Sequence, residues 1–158
     1  MTARNNVTRM LDARGVAYEA FELPAGEKRS AEEAAALLGV PPEIVYKTIV
    51  VVREGRGKPI LCLAPGPSEV NLKKLATALG EKKLRLPTQR EAEALTGLQA
   101  GGISPLALLN KGFQVCLDRS AERHAQVHVS DGQRGLSRRL AVDDLIALTH
   151  ARWVDATD

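Results

Sequence analysis

Residues 46–53 read Tyr-Lys-Thr-Ile-Val-Val-Val-Arg, a nearly unbroken run of β-branched and apolar side chains. A strand with one wet face alternates apolar and polar residues, whereas a continuous run suits a strand covered on both faces. Glycines at 55 and 57 form a turn, and Lys58–Ala64 returns as a second apolar strand, so the pair reads as a hairpin. This hairpin is the fixed point around which the remaining segments must pack.

Helix signals lie on both sides of it. Val7, Met10 and Leu11 recur at helical spacing before Gly15, giving a first helix over Thr2–Arg14. Val16–Leu23 reads as a strand and Pro24–Arg29 as a loop. Ser30 with Glu33 forms a capping box, and Gly39 stops that helix. Pro41-Pro42 opens a short helical turn. Asn71 caps a helix closed by Gly80, Lys83–Leu86 is a short strand, and Thr88 with Glu91 predicts another capping box. Gly112–Leu117, Val127–Val129 and Gly135–Leu140 read as strands, the last two joined by an Asp131-Gly132 turn. Val142–Thr149 is a helix, and Trp153-Val154 a final edge strand. Hairpins mixed with helices, and no regular strand–helix alternation, predict an α+β fold with a mixed, barrel-like sheet. At 158 residues the chain is expected to form one domain spanning 1–158.

Composition removes several function classes. Aromatic residues are 3% of the chain, too few for a single-strand binder built on stacked rings. The net charge of +3 fits a polyanionic partner without requiring one. Cys62 and Cys116 sit in apolar runs and read as small core residues, not as a disulfide or redox pair. Met1–Arg9 lacks the apolar core of a signal peptide, and no apolar run approaches a membrane span. A cytoplasmic protein without membrane association is the expectation.

Two features point to chemistry. Lys47 is a cation inside an apolar strand, where it must snorkel, pair or meet a ligand such as a phosphate or carboxylate. Gly101-Gly102-Ile103-Ser104-Pro105 is a turn whose glycines allow backbone amides to approach a ligand closely. Such amides suit an anion or a polarised carbonyl oxygen, although the same turn also serves as a plain connector. Ser104 as a nucleophile needs a base, and His124, His128 and His150 fall in no recognisable hydrolase pattern. His124 and His128 have the spacing of a helical metal pair, but no third ligand is evident and no metal or cofactor is expected. Lys73, Lys74, Lys82, Lys83, Arg85 and Arg90 form one basic zone, and Arg134, Arg138 and Arg139 another. Either is a solvated face or a contact for a nucleic-acid backbone.

Four blocks, in order and over almost the whole chain, resemble the YbaK/EbsC family and the editing (insertion) domain of bacterial prolyl-tRNA synthetase. They are Val45–Val51, Asn71–Ala76, Thr96-Gly97 with Gly101–Pro105, and Val129–Leu136. The resemblance implies a barrel-like core with flanking helices and hydrolysis of a wrong amino acid from a tRNA. It implies that Lys47 holds the 3′-terminal nucleotide and that Gly101 and its loop present backbone groups to the aminoacyl ester. Tyr46, Thr48, Gly102, Ile103, Ser104, Pro105 and Ser130 are the accompanying substrate-binding positions. No side-chain nucleophile is implied; the ribose hydroxyl, water or a substrate thiol attacks. The implied partners are the aminoacyl-tRNA acceptor end and prolyl-tRNA synthetase, with the protein itself a monomer or weak homodimer. A non-catalytic tRNA- or nucleotide-binding module is the alternative. Three departures bear on which amino acid is accepted. Ala107 stands where the family often has glycine, and Ser137 where the cysteinyl-tRNA branch often has an acid. A tyrosine of that branch has no clear match around Phe21–Leu23.

Overall fold

The computed structural model describes residues 6–24, 30–55 and 57–158. Residues 2–5 of the expected first helix, and most of the expected loop before Ser30, lie outside them. The helices are α1 (Asn6–Ala13), α2 (Ala31–Leu38), α3 (Leu72–Leu79), α4 (Gln89–Thr96) and α5 (Val142–Thr149). The strands are β1 (Tyr18–Glu22), β2 (Tyr46–Arg53), β3 (Ile60–Pro65), β4 (Leu84–Arg85), β5 (Gln114–Asp118), β6 (Gln126–Ser130), β7 (Leu136–Ala141) and β8 (Arg152–Val154). The architecture is α+β, as the hairpins interleaved with helices require.

The strands form two sheets, a three-stranded one ordered β1-β7-β6 and a five-stranded one ordered β4-β2-β3-β5-β8. They do not close into a barrel; among the described residues one bridge, between Val45 and His128, is the β-type link that joins them. The larger sheet is mixed. β2 pairs antiparallel with β3, while β3–β5 and β5–β8 are parallel. Both faces of β2 are covered, which is why its sequence does not alternate. Tyr46 and Val50 enter a core with Leu61, Leu63 and Leu117. Ile49 and Val51 pack on the other side against Leu75, Cys62 and Cys116. Cys62 and Cys116 face each other in register as free thiols. Burial pushes them up to about 12 and about 11, which keeps them protonated and inert.

Local chemistry explains the helix ends. Ser30 accepts from the Glu33 amide while the Glu33 carboxylate accepts from the Ser30 amide, a complete capping box. Thr88 accepts from the Glu91 amide, but the Glu91 carboxylate is drawn to Arg85 at 2.7 and 2.8 Å, so that box is half formed. Asn71 caps α3 through the Lys74 amide. Arg53 braces the bottom of the large sheet by donating to the Lys58 carbonyl, Glu81 and Gln114.

Two features position the site. The outer edge of β2 pairs with β4 only at Val52 and Arg53, and at Val45 it meets β6. Between these points its edge joins no other strand among the described residues. The second feature is a buried ion pair. Arg138 on β7 reaches Asp131 at 2.8 Å with both side chains essentially inaccessible, donates to Thr8 on α1, and lies over the Tyr18 ring. It fixes the start of the β6–β7 turn, and removing either partner costs about 3–5 kcal/mol.

Candidate functional site

The Gly101–Pro105 loop is shaped from both ends. Gly97, in the left-handed region at φ 74°, ends α4, and the Ala100 amide donates to the Glu93 carboxylate at 2.8 Å. Gly101 adopts φ 90°, which favours glycine. The Gly102 amide donates back to the Gln99 carbonyl at 2.9 Å. Ser104 is fully buried, and its hydroxyl accepts from the Leu106 amide at 3.1 Å, capping a short 3-10 turn over Pro105–Leu108.

The β6–β7 turn is the surface on which this loop rests. A Cβ on Gly102 would lie 2.9 Å from the Arg134 nitrogen and the Gln133 carbonyl carbon. A Cβ on Gly132 would lie 2.7 Å from the Ala107 methyl. The Arg134 Nε donates to the Ala100 carbonyl at 2.6 Å, and the Ser130 hydroxyl to the Gly101 carbonyl at 3.4 Å. The extra methyl of Ala107, one of the sequence departures, is thus accommodated at a glycine of the facing turn.

A cavity of about 460 Å³ lies between the open edge of β2, the loop and the small sheet. Tyr46, Lys47, Thr48, Gly101, Ile103 and Ser130 all line it. Gly102, Ser104 and Pro105 stand behind the lining and shape it from there. The Lys47 Nζ donates to the Gly66 carbonyl at 3.2 Å and has no carboxylate partner among the described residues. The Thr48 hydroxyl is buried at the wall without a partner. Tyr46 contributes its body, since its hydroxyl is 2.7 Å from Ser120, away from the cavity. Burial raises that phenol above its ordinary value, so it stays neutral.

Among the described lining residues there is no carboxylate, imidazole or thiol. None of the three histidines lines the cavity. The described residues contain no group of three or more His, Cys, Asp or Glu that could hold a metal. What the walls offer is two cations, neutral hydroxyls and backbone amides. The Gly101 and Ile103 amides make no hydrogen bond within the protein among the described residues, whereas the intervening Gly102 amide is committed. Such a site can bind an anion and polarise a carbonyl; among its described lining residues no side chain is suited to act as a general base at neutral pH.

The second basic zone does not act as a unit. Arg138 is buried against Asp131, Arg139 pairs with Glu19, and only Arg134 reaches the cavity. Arg134 stood in sequence among three nearby arginines and inside the Val129–Leu136 block, without a role of its own; its signal was its place inside the Asp131–Gly135 turn.

Residues 25–148 match the model of the aminoacyl-tRNA editing domain. This chain belongs to that family. Among relatives of the editing domain, EbsC of Enterococcus faecalis, named as a candidate Cys-tRNA(Pro)/Cys-tRNA(Cys) deacylase, is 34% identical over 98% of this chain and 93% of its own length. The proline–tRNA ligase of Nitratidesulfovibrio vulgaris is 35% identical over 66% of this chain, which spans 18% of that ligase. The crystal structure of a candidate trans-editing enzyme for prolyl tRNA synthetase superposes with a TM-score of 0.82 at 28% identity, covering 99% of each chain. The editing fold therefore accounts for the two-sheet architecture. Within it, Phe21 on β1, in the stretch where the tyrosine of the cysteinyl-tRNA branch has no clear match, lies directly opposite Ser137 on β7. No helix among the described residues is long and apolar enough to cross a membrane.

Proposed function

We propose that the protein is a trans-acting aminoacyl-tRNA deacylase that hydrolyses mischarged tRNA, foremost tRNA for proline carrying cysteine, alanine or another small amino acid. Membership of the editing-domain family makes deacylation of aminoacyl-tRNA the class of chemistry. The observation that carries the mechanism is the lining of the cavity: two cations and the loop residues Gly101 and Ile103, whose amides are unengaged among the described residues, with no general base among the described lining residues.

In this reading Lys47 holds the phosphate of the 3′-terminal nucleotide. The aminoacyl ester lies against Gly101 and Ile103, whose amides donate to the carbonyl oxygen as it becomes an oxyanion. One such donor contributes roughly a hundred- to a thousand-fold in rate. Water, oriented by the neighbouring ribose hydroxyl, adds to the ester carbon. The carbon–oxygen bond to the ribose then breaks, and the ribose oxygen takes the proton that the water gives up. The products are the free amino acid and the uncharged tRNA. With a cysteinyl ester the substrate's own thiol is an alternative nucleophile: it forms a thiolactone as the carbon–oxygen bond to the ribose breaks, the ribose oxygen takes the thiol's proton, and water then opens the thiolactone to free cysteine. An ester is already activated, so positioning and oxyanion stabilisation suffice without a catalytic side chain.

The absence of a base among the described lining residues also serves a second reading, a module that binds the acceptor end without turnover. Purified protein at catalytic concentration decides between them. The deacylase shortens the half-life of a mischarged ester in a Lys47-dependent way, and the binding module leaves it unchanged. Whether prolyl-tRNA synthetase is a physical partner is read in the same assay by adding the synthetase.

A further inference from the structure

We propose that Arg134 is a second phosphate-binding residue of this cavity, taking the backbone of the tRNA 3′ end from the small-sheet side while Lys47 takes it from the large sheet. The inference rests on the aminoacyl-tRNA reading of the site and deepens it.

Three observations carry it. First, the permanent charges among the described lining residues are Lys47 and Arg134, both positive, with no carboxylate beside them. The neighbouring arginines are neutralised, Arg138 by Asp131 and Arg139 by Glu19, whereas Arg134 has no ion-pair partner among the described residues. A half-buried guanidinium without a carboxylate is poorly compensated until an anion arrives.

Second, the side chain is already oriented. Its Nε donates to the Ala100 carbonyl at 2.6 Å, which fixes the guanidinium plane and leaves the two terminal nitrogens uncommitted. A planar pair of donors matches two oxygens of a phosphodiester, a geometry that a lysine ammonium does not provide. Third, the backbone that carries Arg134 is closely held. It belongs to the turn started by the buried Asp131–Arg138 pair, and it packs against Gly102 at the limit of contact. A cation on so fixed a mount selects position as well as charge.

The test separates phosphate binding from a purely structural role, because Arg134 also touches the loop. Wild type, Arg134→Ala and Arg134→Lys are compared on two esters of the same amino acid. One is the mischarged tRNA; the other is 2′(3′)-O-aminoacyl-adenosine, which has no phosphate. Loss of a charged, hydrogen-bonded contact lowers kcat/KM by about tenfold to a hundredfold. Arg134→Ala is expected to lose that much on the tRNA and at least tenfold less on the adenosine ester, with Arg134→Lys in between. Equal losses on both esters, or no loss on the tRNA, would overturn the proposal.

A second arm does not depend on turnover. Affinity for an uncharged acceptor-stem RNA ending in CCA is measured against salt concentration, with adenosine as the phosphate-free control. Arg134→Ala should weaken RNA binding and reduce the logarithmic salt slope by about 0.7, the value for one single-strand phosphate contact. Its adenosine affinity should stay put. An unchanged slope and affinity for the RNA would remove Arg134 from phosphate recognition. If wild type hydrolyses neither ester, the deacylase reading fails on its own, and the RNA arm still judges Arg134.

Discussion

Gly102→Ala places one methyl group between the loop and the turn that supports it. The new Cβ would lie 2.9 Å from the Arg134 nitrogen, 2.9 Å from the Gln133 carbonyl carbon and 3.1 Å from the Gln133 Cα. Carbon atoms in contact prefer about 3.5–4.0 Å. All three neighbours are backbone, and their turn is anchored by the buried Asp131–Arg138 pair, so the loop is the side that yields. It must retreat by about half an ångström, judged against that contact distance. A displacement of about 1 Å costs on the order of a hundredfold in rate, so half of it should lower kcat by roughly tenfold. Overpacking of this kind costs about 1–3 kcal/mol, and each kcal/mol lowers Tm by about 2–4 °C in a chain of this size. The assay is deacylation of a mischarged tRNA beside a thermal melt. Gly97→Ala is the control: it has backbone strain at φ 74° but nothing within 4 Å of the added Cβ, so it should lose stability and keep its rate. A folded Gly102→Ala protein with wild-type kcat would refute the view that the turn sets the loop's geometry.

Two other outcomes follow from the same structure. Ser104→Ala removes the cap on the Leu106 amide, so stability should fall by about 0.5–2 kcal/mol while deacylation persists at a measurable rate; complete loss of turnover in a folded protein would return Ser104 to the chemistry. His128 is inaccessible, lies 5.4 Å from the Phe21 ring, and is held below its ordinary pKa by burial first and by Arg139 second, with Glu19 opposing weakly. Its folded value lies below the unfolded one, so the unfolded chain gains a proton as pH falls through about 6.5 while the folded one does not. The stability present above that pH is therefore lost below it. Tm measured at descending pH should drop more steeply in wild type than in His128→Leu, and parallel slopes would contradict the assignment.

Legibility in the sequence followed the range of the interaction. The Ser30–Glu33 box was readable because both partners lie within one helical turn. The Thr88–Glu91 box was only half right because Arg85, outside the helix, competes for the carboxylate. The unbroken β2 run announced a strand covered on both faces, but not the parallel pairing of β3 with β5 or of β5 with β8, which depends on contacts far apart in sequence. The sheet was expected to be barrel-like; instead there are two sheets packed on a shared core, joined among the described residues by one β-bridge. At the site, Lys47 stood out because a cation in an apolar strand is conspicuous by itself. Arg134, Arg138 and Arg139 looked alike, since the strand's alternation and the turn that divide them into cavity wall, buried pair and surface pair exist only once β6 and β7 are paired. The direction of the Tyr46 and Ser104 hydroxyls was likewise invisible, because Ser120 lies 74 residues from Tyr46 and the Leu106 amide is exposed to Ser104 only by the turn itself.

The central claim is that the cavity turns over a mischarged ester with Lys47 as its anchor and no catalytic side chain. The most direct measurement is a deacylation panel at low protein concentration. It compares alanyl-, cysteinyl- and seryl-tRNA for proline with correctly charged controls, using wild type and Lys47→Ala. Selective hydrolysis of a mischarged tRNA, reduced about tenfold or more by Lys47→Ala with little change in Tm, is the expected result. A wild-type protein that binds the tRNA tightly yet hydrolyses none of the esters, or a Lys47→Ala protein with full activity, would contradict it.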